Sequence, residues 1–201
     1  MKLAIVPTGT ANTASVMAAL RRQGAEPCLV ARPEEVEAAG QVVLPGVGTF
    51  GAAMAELDRL QLRQALASRV AEGRPTLAVC VGMQLLGADS EESPGVAGLG
   101  VIPGGVSAFP DDVIVPQLGW NRVEPEAACR FLEPGWAYFA NSYRFVSPPQ
   151  GWTAATTQYG GSFVSALERG DVLACQFHPE LSGEWGAKLL DRWLSATGGG
   201  D

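Results

Sequence analysis

Up to Leu86 the chain alternates short apolar runs with stretches of helical spacing, and this alternation restricts the fold more than any other feature. Lys2–Pro7, Glu26–Ala31, Gln41–Leu44 and Thr76–Cys80 are brief and apolar, as buried strands are. Thr13–Gln23 carries Val16, Met17 and Leu20 at helical spacing before Gly24. Pro33 opens a short helix with Glu34 and Glu35 in its first turn, where acidic groups suit the helix dipole. Met54–Val70 is mostly helical, with a break near Leu60. Units of this kind close by right-handed crossovers into an α/β fold, with a mainly parallel sheet and helices on both faces. Ligands then lie beyond the carboxyl ends of the strands. Thr8–Asn12 is a small-residue loop, while "PGVG" (Pro45–Gly48, within Pro45–Gly51) and Cys80 fall at such ends.

From about Ser90 the texture changes, with more glycine, proline and aromatic residues. Shorter β-like runs follow at Val101–Phe109, Val113–Val115, Trp136–Ala140, Thr153–Tyr159, Ser162–Leu167 and Val172–Phe177, and "YGGS" (Tyr159–Ser162) signals a hairpin. This half reads as a smaller antiparallel or mixed extension of the sheet. Glu184–Leu194 reads as a closing amphipathic helix and Ala196–Asp201 as a frayed tail. With no repeat and no long linker, residues 1–201 are expected to form one domain.

Composition prunes the functions open to such a fold. A net charge of −7 without a basic stripe speaks against nucleic acid and against a bare membrane surface. The start, "MKLAIVPTG", is too short and broken for a secretory signal, and no apolar run reaches the length of a membrane span. Cys28, Cys80, Cys129 and Cys175 form no C-x-x-C pair, so neither a zinc site nor a disulfide scaffold is expected and a reducing, cytoplasmic setting is the default. His178 is the only histidine, so any imidazole chemistry must run through it and no metal is expected.

Three stretches carry candidate chemistry. Cys80 stands where the apolar strand meets "VGMQLL", read as the first turns of a helix. A sharp turn there would lift its side chain clear of the sheet, and a helix N-terminus favours the thiolate. Gly82 leaves room for close approach. Alone, Cys80 reads equally as a small core residue. In "CQFHPE" (Cys175–Glu180), strand alternation puts His178 and Glu180 on one side, as an imidazole and an orienting carboxylate, although the pair alone also reads as surface charges at a strand end. Cys175 alternates away and is read as packing. The glycines flanking Val47 allow backbone N–H groups to aim into a cleft, which suits an oxyanion, or simply make a turn. Together the three have the form of a cysteine triad on an α/β sheet.

With these residues in place the chain resembles the class I, triad-type glutamine amidotransferases, through "PGVG", "CVGMQLL" and "QFHPE". Within that group it is similar to the glutaminase subunit of imidazole glycerol phosphate synthase, through "GTANTASV" (Gly9–Val16), "LPGVGTFGAAM" (Leu44–Met54), "GLGVIPGGV" (Gly98–Val106), "PQLGWN" (Pro116–Asn121), "YFANSY" (Tyr138–Tyr143) and "ATTQYGGSF" (Ala155–Phe163), in family order over nearly the whole chain. The resemblance implies a three-layer fold and catalysis by Cys80, His178 and Glu180. It implies an oxyanion hole from the N–H groups of Val47 and Val81. It implies glutamine binding at Gly46, Gly48, Gln84, Ser142 and Tyr143, with no cofactor. The implied partner is a (β/α)8 cyclase subunit that receives ammonia through an internal channel. The chain departs from the family pattern at Ala78, where glycine is usual, at Pro7-Thr8, where Asp-Tyr is usual, and at Gln117 and Asn141, where histidine is often found. The alternatives are a triad amidotransferase feeding another synthetase, a partnerless cysteine hydrolase, and an inactive scaffold subunit.

Overall fold

The computed structural model describes residues 3–9 and 13–198. Lys2, Thr10–Asn12 and Gly199–Asp201, which belong to the expected first strand, loop and tail, lie outside the described residues. Up to Gln84 the order is β1 (Leu3–Ile5), α1 (Thr13–Arg22), β2 (Pro27–Leu29), α2 (Pro33–Ala38), β3 (Gln41–Leu44), α3 (Phe50–Arg59), α4 (Arg63–Ala71), β4 (Thr76–Val79) and α5 (Val81–Gln84). Then come β5 (Ser107–Ala108), β6 (Gln117–Pro125), β7 (Gly135–Asn141), β8 (Tyr143–Arg144), β9 (Thr153–Gln158), β10 (Ser162–Arg169), β11 (Val172–Cys175), a 3-10 turn at Pro179–Leu181, and α6 (Gly183–Thr197).

Among the described residues the main sheet runs β2-β1-β3-β4-β11-β10-β9-β6-β7. The first five are parallel, and β10, β9, β6 and β7 continue the sheet antiparallel. The chain steps outward from β1 to β2, then back across β1 to β3 and β4. Right-handed crossovers therefore put α1 on one face and α2–α4 on the other. β3, β4 and β11 are buried at every residue, as strands sandwiched between helix layers must be.

The break near Leu60 is a tight turn. Gln61 adopts φ 58, and the Leu62 N–H donates to Leu57 O at 2.8 Å. α3 starts before Met54, at Phe50, because Thr49 caps it by accepting from the Ala52 N–H. Gly160 and Gly161, with φ 55 and 96, turn β9 into β10. Three expectations need correction. Val101–Phe109 yields only the two-residue β5, because its apolar side chains pack a wandering loop without alternating, and Val113–Val115 forms no strand, with Ile114 and Val115 exposed. β6 is nine residues long yet gave no strand signal, since Gly119, Asn121, Glu124 and Pro125 are poor strand formers and much of it faces outward. The helix after Cys80 is a single turn.

The buried Arg69 has no ion pair with an acidic side chain among the described residues. Its guanidinium donates to Val36 O, Ala39 O, Gly40 O and Pro75 O at 2.8–3.1 Å, tying the end of α2 to the entry of β4. Burial pulls it down to about 10, which still leaves it cationic at neutral pH. Arg69→Ala would strand these carbonyls. The expected loss is about 3–5 kcal/mol, read as a lower urea midpoint at unchanged slope, with Arg69→Lys recovering only part of it.

Candidate active site

The expected catalytic residues lie beyond the carboxyl ends of three adjacent parallel strands, β3, β4 and β11. Register sets their level: Leu44 pairs with Ala78 and Val79 with Cys175. Cys80 leaves β4 at φ 53, ψ −114, a conformation rare for a side-chain-bearing residue. Its N–H donates to Cys175 O at 2.7 Å, and its carbonyl accepts from Met83 and Gln84, so β11 and the turn α5 hold the strain in place. Close packing from β3 does the rest. A Cβ on Gly82 would collide with Leu44 O, and one on Gly46 would sit 2.5 Å from Gly82 N. Ala78 sits buried in the β4 ladder between Leu44 and Ala174, and its methyl is accommodated there.

Cys80 is 4% exposed and close enough to His178 to favour the protonated ring. The His178 Nδ1 lies 2.9 Å from Glu180 Oε1, with both side chains buried. This approach does not come from strand alternation. β11 has ended by Cys175, and the 3-10 turn Pro179–Leu181 folds Glu180 back under the ring. The His178 N–H to Tyr138 O bond fixes the turn to β7, and Ser182 Oγ donates to His178 O. Burial opposes an imidazolium, but Cys80 and Glu180, through hydrogen bonds and charge, outweigh it and raise His178 to about 10. The raised value favours a protonated ring beside the Cys80 sulfur. One turn of helix adds little dipole to that pair, so the strong helix N-terminus expected beneath Cys80 is absent.

The Val81 N–H donates to Gly46 O at 3.2 Å. In a trans peptide the N–H points opposite the carbonyl, so the Val47 N–H is turned away from Val81 and the two do not face a common point. Gly48 at φ 92 supplies the backbone freedom for another arrangement. Thr8, within the departure Pro7-Thr8, donates from its hydroxyl to Pro45 O and anchors the base of this loop. At its far end Phe50 and Gly51 N–H groups donate to Glu92 and Ser93, two residues that the sequence reading did not single out.

Ala140 O is 3.9 Å from Cys80 Sγ, which brings Ser142 and Tyr143, both half-buried, to the edge of the site. Gln84 Nε2 donates to Tyr143 O at 3.2 Å and to Gln176 Oε1 at 2.9 Å. Gln117 and Asn141 face each other across β6 and β7, buried, each with an amide oxygen lacking a hydrogen-bond partner among the described residues. Gln176 escaped the sequence reading, although the alternation that singles out His178 also covers the residue two before it.

A family model for "Glutamine amidotransferase class-I" matches residues 5–196. The chain belongs to the class-I glutamine amidotransferases. Curated relatives named "Imidazole glycerol phosphate synthase subunit HisH" include those of Symbiobacterium thermophilum, 41% identical, and Escherichia coli K12, 42% identical. The alignments cover 96% of this chain and 92% and 99% of those proteins. A solved structure described as a glutamine amidotransferase superposes with a TM-score of 0.77 at 22% identity, covering 97% of this amidotransferase and 98% of that chain, which shows the fold.

The ionisation sign can be tested. A group raised on folding stabilises fully below its unfolded value, near 6.5, and that contribution is lost as pH rises through about 10. Removing the carboxylate charge in Glu180→Gln should therefore move the alkaline limb of kcat/KM for ammonia release down by roughly 1–3 pH units and flatten the alkaline loss of stability. A pH–rate profile and melts between pH 7 and 10 read both.

Proposed function

We propose that the chain is the glutaminase subunit of an imidazole glycerol phosphate synthase. It hydrolyses L-glutamine to L-glutamate and passes the ammonia to a (β/α)8 cyclase subunit, which makes imidazole glycerol phosphate in histidine biosynthesis. The observation that carries this reading is identity of 41–42% over 96% of the chain to subunits of that name, in a chain where His178 is hydrogen-bonded to Glu180 and lies beside Cys80.

In this reading the Cys80 thiolate attacks the side-chain amide carbon of glutamine. His178, protonated at rest, gives its proton to the departing ammonia and then takes one from the water that cleaves the γ-glutamyl thioester. Glu180 orients the ring and offsets its charge. Gly46, Gly48, Gln84, Ser142 and Tyr143 hold the substrate. Rotation of the Gly46–Val47 peptide frees the Val81 N–H and turns the Val47 N–H toward the oxyanion, so the observed arrangement is a resting one.

An exposed apolar surface beside the site supports a partner. Leu118, Trp120, Trp136 and Leu181 are each about half to two-thirds exposed on β6, β7 and the turn that carries Glu180. The cyclase covers this surface in a cytoplasmic heterodimer, and ammonia crosses without meeting solvent. No helix among the described residues is long and apolar enough to cross a membrane.

Cys80→Ala should abolish ammonia release from glutamine while leaving the melting profile that of a folded chain. Ammonia release measured on the variant checks this, and activity at the unsubstituted level would remove Cys80 from the chemistry. The isolated chain should release ammonia slowly, rising at least tenfold when the cyclase and its ribotide substrate are added. Free ammonium at high concentration should still drive the cyclase in the Cys80→Ala complex. High activity of the isolated chain would contradict the resting arrangement.

A further inference from the structure

We propose that Gln176 is a positioning residue for the nucleophile: its side-chain N–H donates to the Cys80 sulfur and steadies it as the thiolate, with Gln84 holding the amide in that orientation. The inference rests on the reading that Cys80 is the attacking group.

Register puts Gln176 where it can act. β4 and β11 are parallel, with Val79 opposite Cys175, so the next residues, Cys80 and Gln176, stand side by side. Gln176 is fully buried, and its Nε2 is 3.7 Å from Cys80 Sγ. Its backbone N–H is committed to Ser165 O, which leaves the side chain as the element aimed at the sulfur.

The amide orientation follows from chemistry along the chain of bonds. Tyr143 O is a backbone carbonyl and can only accept, so Gln84 must point its NH2 group there. The same NH2 group is 2.9 Å from Gln176, whose near atom must then be the oxygen. The far atom, the one against Cys80, is therefore the nitrogen, with a hydrogen to donate. The string Tyr143–Gln84–Gln176–Cys80 admits no flipped member.

The sulfur has few other donors. The Val81 N–H at the start of the single-turn α5 is engaged by Gly46 O, and the nearby Ala140 O cannot donate. His178 approaches as the catalytic proton carrier. A buried amide N–H is a donor that stays in place when the His178 proton leaves with ammonia, and hydrogen bonds to ionised groups are stronger than neutral ones. Gln176 thus keeps the sulfur anionic and aimed, and contributes nothing to glutamine affinity.

The test uses iodoacetamide, a small probe that reports thiolate without needing the glutamine pocket, on the whole chain bound to its cyclase, with the labelled peptide identified by mass spectrometry. Gln176→Met keeps the length and loses the donor. Its labelling rate at Cys80 should fall about five- to tenfold at pH 7 and recover to the unsubstituted rate at alkaline pH, with kcat for ammonia release reduced and KM unchanged. Gln84→Met, which keeps the donor but loosens it, should show a smaller fall. Gln176→Glu keeps the acceptor that Gln84 uses and replaces the donor by a charge, so its profile should move further alkaline than that of Gln176→Met, which keeps the idea testable should Gln176→Met fold poorly. Unchanged labelling at pH 7, or a loss that persists at alkaline pH, overturns the proposal, the second because it reports access. If Cys80 labels normally in the unsubstituted complex but glutamine yields no ammonia, the glutaminase reading fails instead, and the two failures are distinguishable.

Discussion

Everything at the site depends on the backbone of Cys80 being held at φ 53, ψ −114. Such a conformation costs roughly 1–3 kcal/mol and persists only under clamping. The hydrogen bond from its N–H to Cys175 O comes from the neighbouring parallel strand, and the carbonyl is taken by the following turn. Gly82 and Gly46 let the β3 backbone pass where any side chain would collide. The strain lifts the sulfur out of the sheet, and the same β4–β11 pairing that bears it delivers Gln176 and His178 to that level.

The acid–base partner follows from a local fold event. β11 stops at Cys175, and the 3-10 turn at Pro179 brings Glu180 to 2.9 Å from His178. Burying an imidazole beside a carboxylate and the Cys80 sulfur favours its cationic form despite the desolvation. In the proposed mechanism this ring proton is the one that the departing ammonia takes. The oxyanion donors are the opposite case, since Gly46 O occupies the Val81 N–H. In the proposed mechanism nucleophile and acid are assembled, while the group that would stabilise the transition state waits on one peptide's orientation.

Much of this was legible in sequence because its causes are local. The apolar runs at Gln41–Leu44 and Thr76–Val79 are strands because they are short and buried on both faces, while Gly24, Pro33 and the "YGGS" turn mark the end of α1, the start of α2 and the β9–β10 turn by backbone chemistry. The class-I family was readable from "PGVG", "CVGMQLL" and "QFHPE" together. What stayed hidden depends on partners distant in the chain. β6 is a strand because β7 and β9 pair with it, against its own propensities. The role of Thr8 under Pro45 depends on β1 and β3 ending side by side in the sheet. Gln176 stood inside a recognised motif, but only the parallel register of β4 and β11 puts its amide against the sulfur.

The central claim, a glutamyl group carried on Cys80, can be met directly. The complex is incubated with a glutamine-analogue affinity reagent or with isotope-labelled glutamine and quenched in acid, and the peptides are analysed by mass. Label on the peptide containing Cys80, absent from Cys80→Ala, is the predicted result. Label on Cys175 or Cys129, or an unchanged labelling pattern in Cys80→Ala, would contradict it.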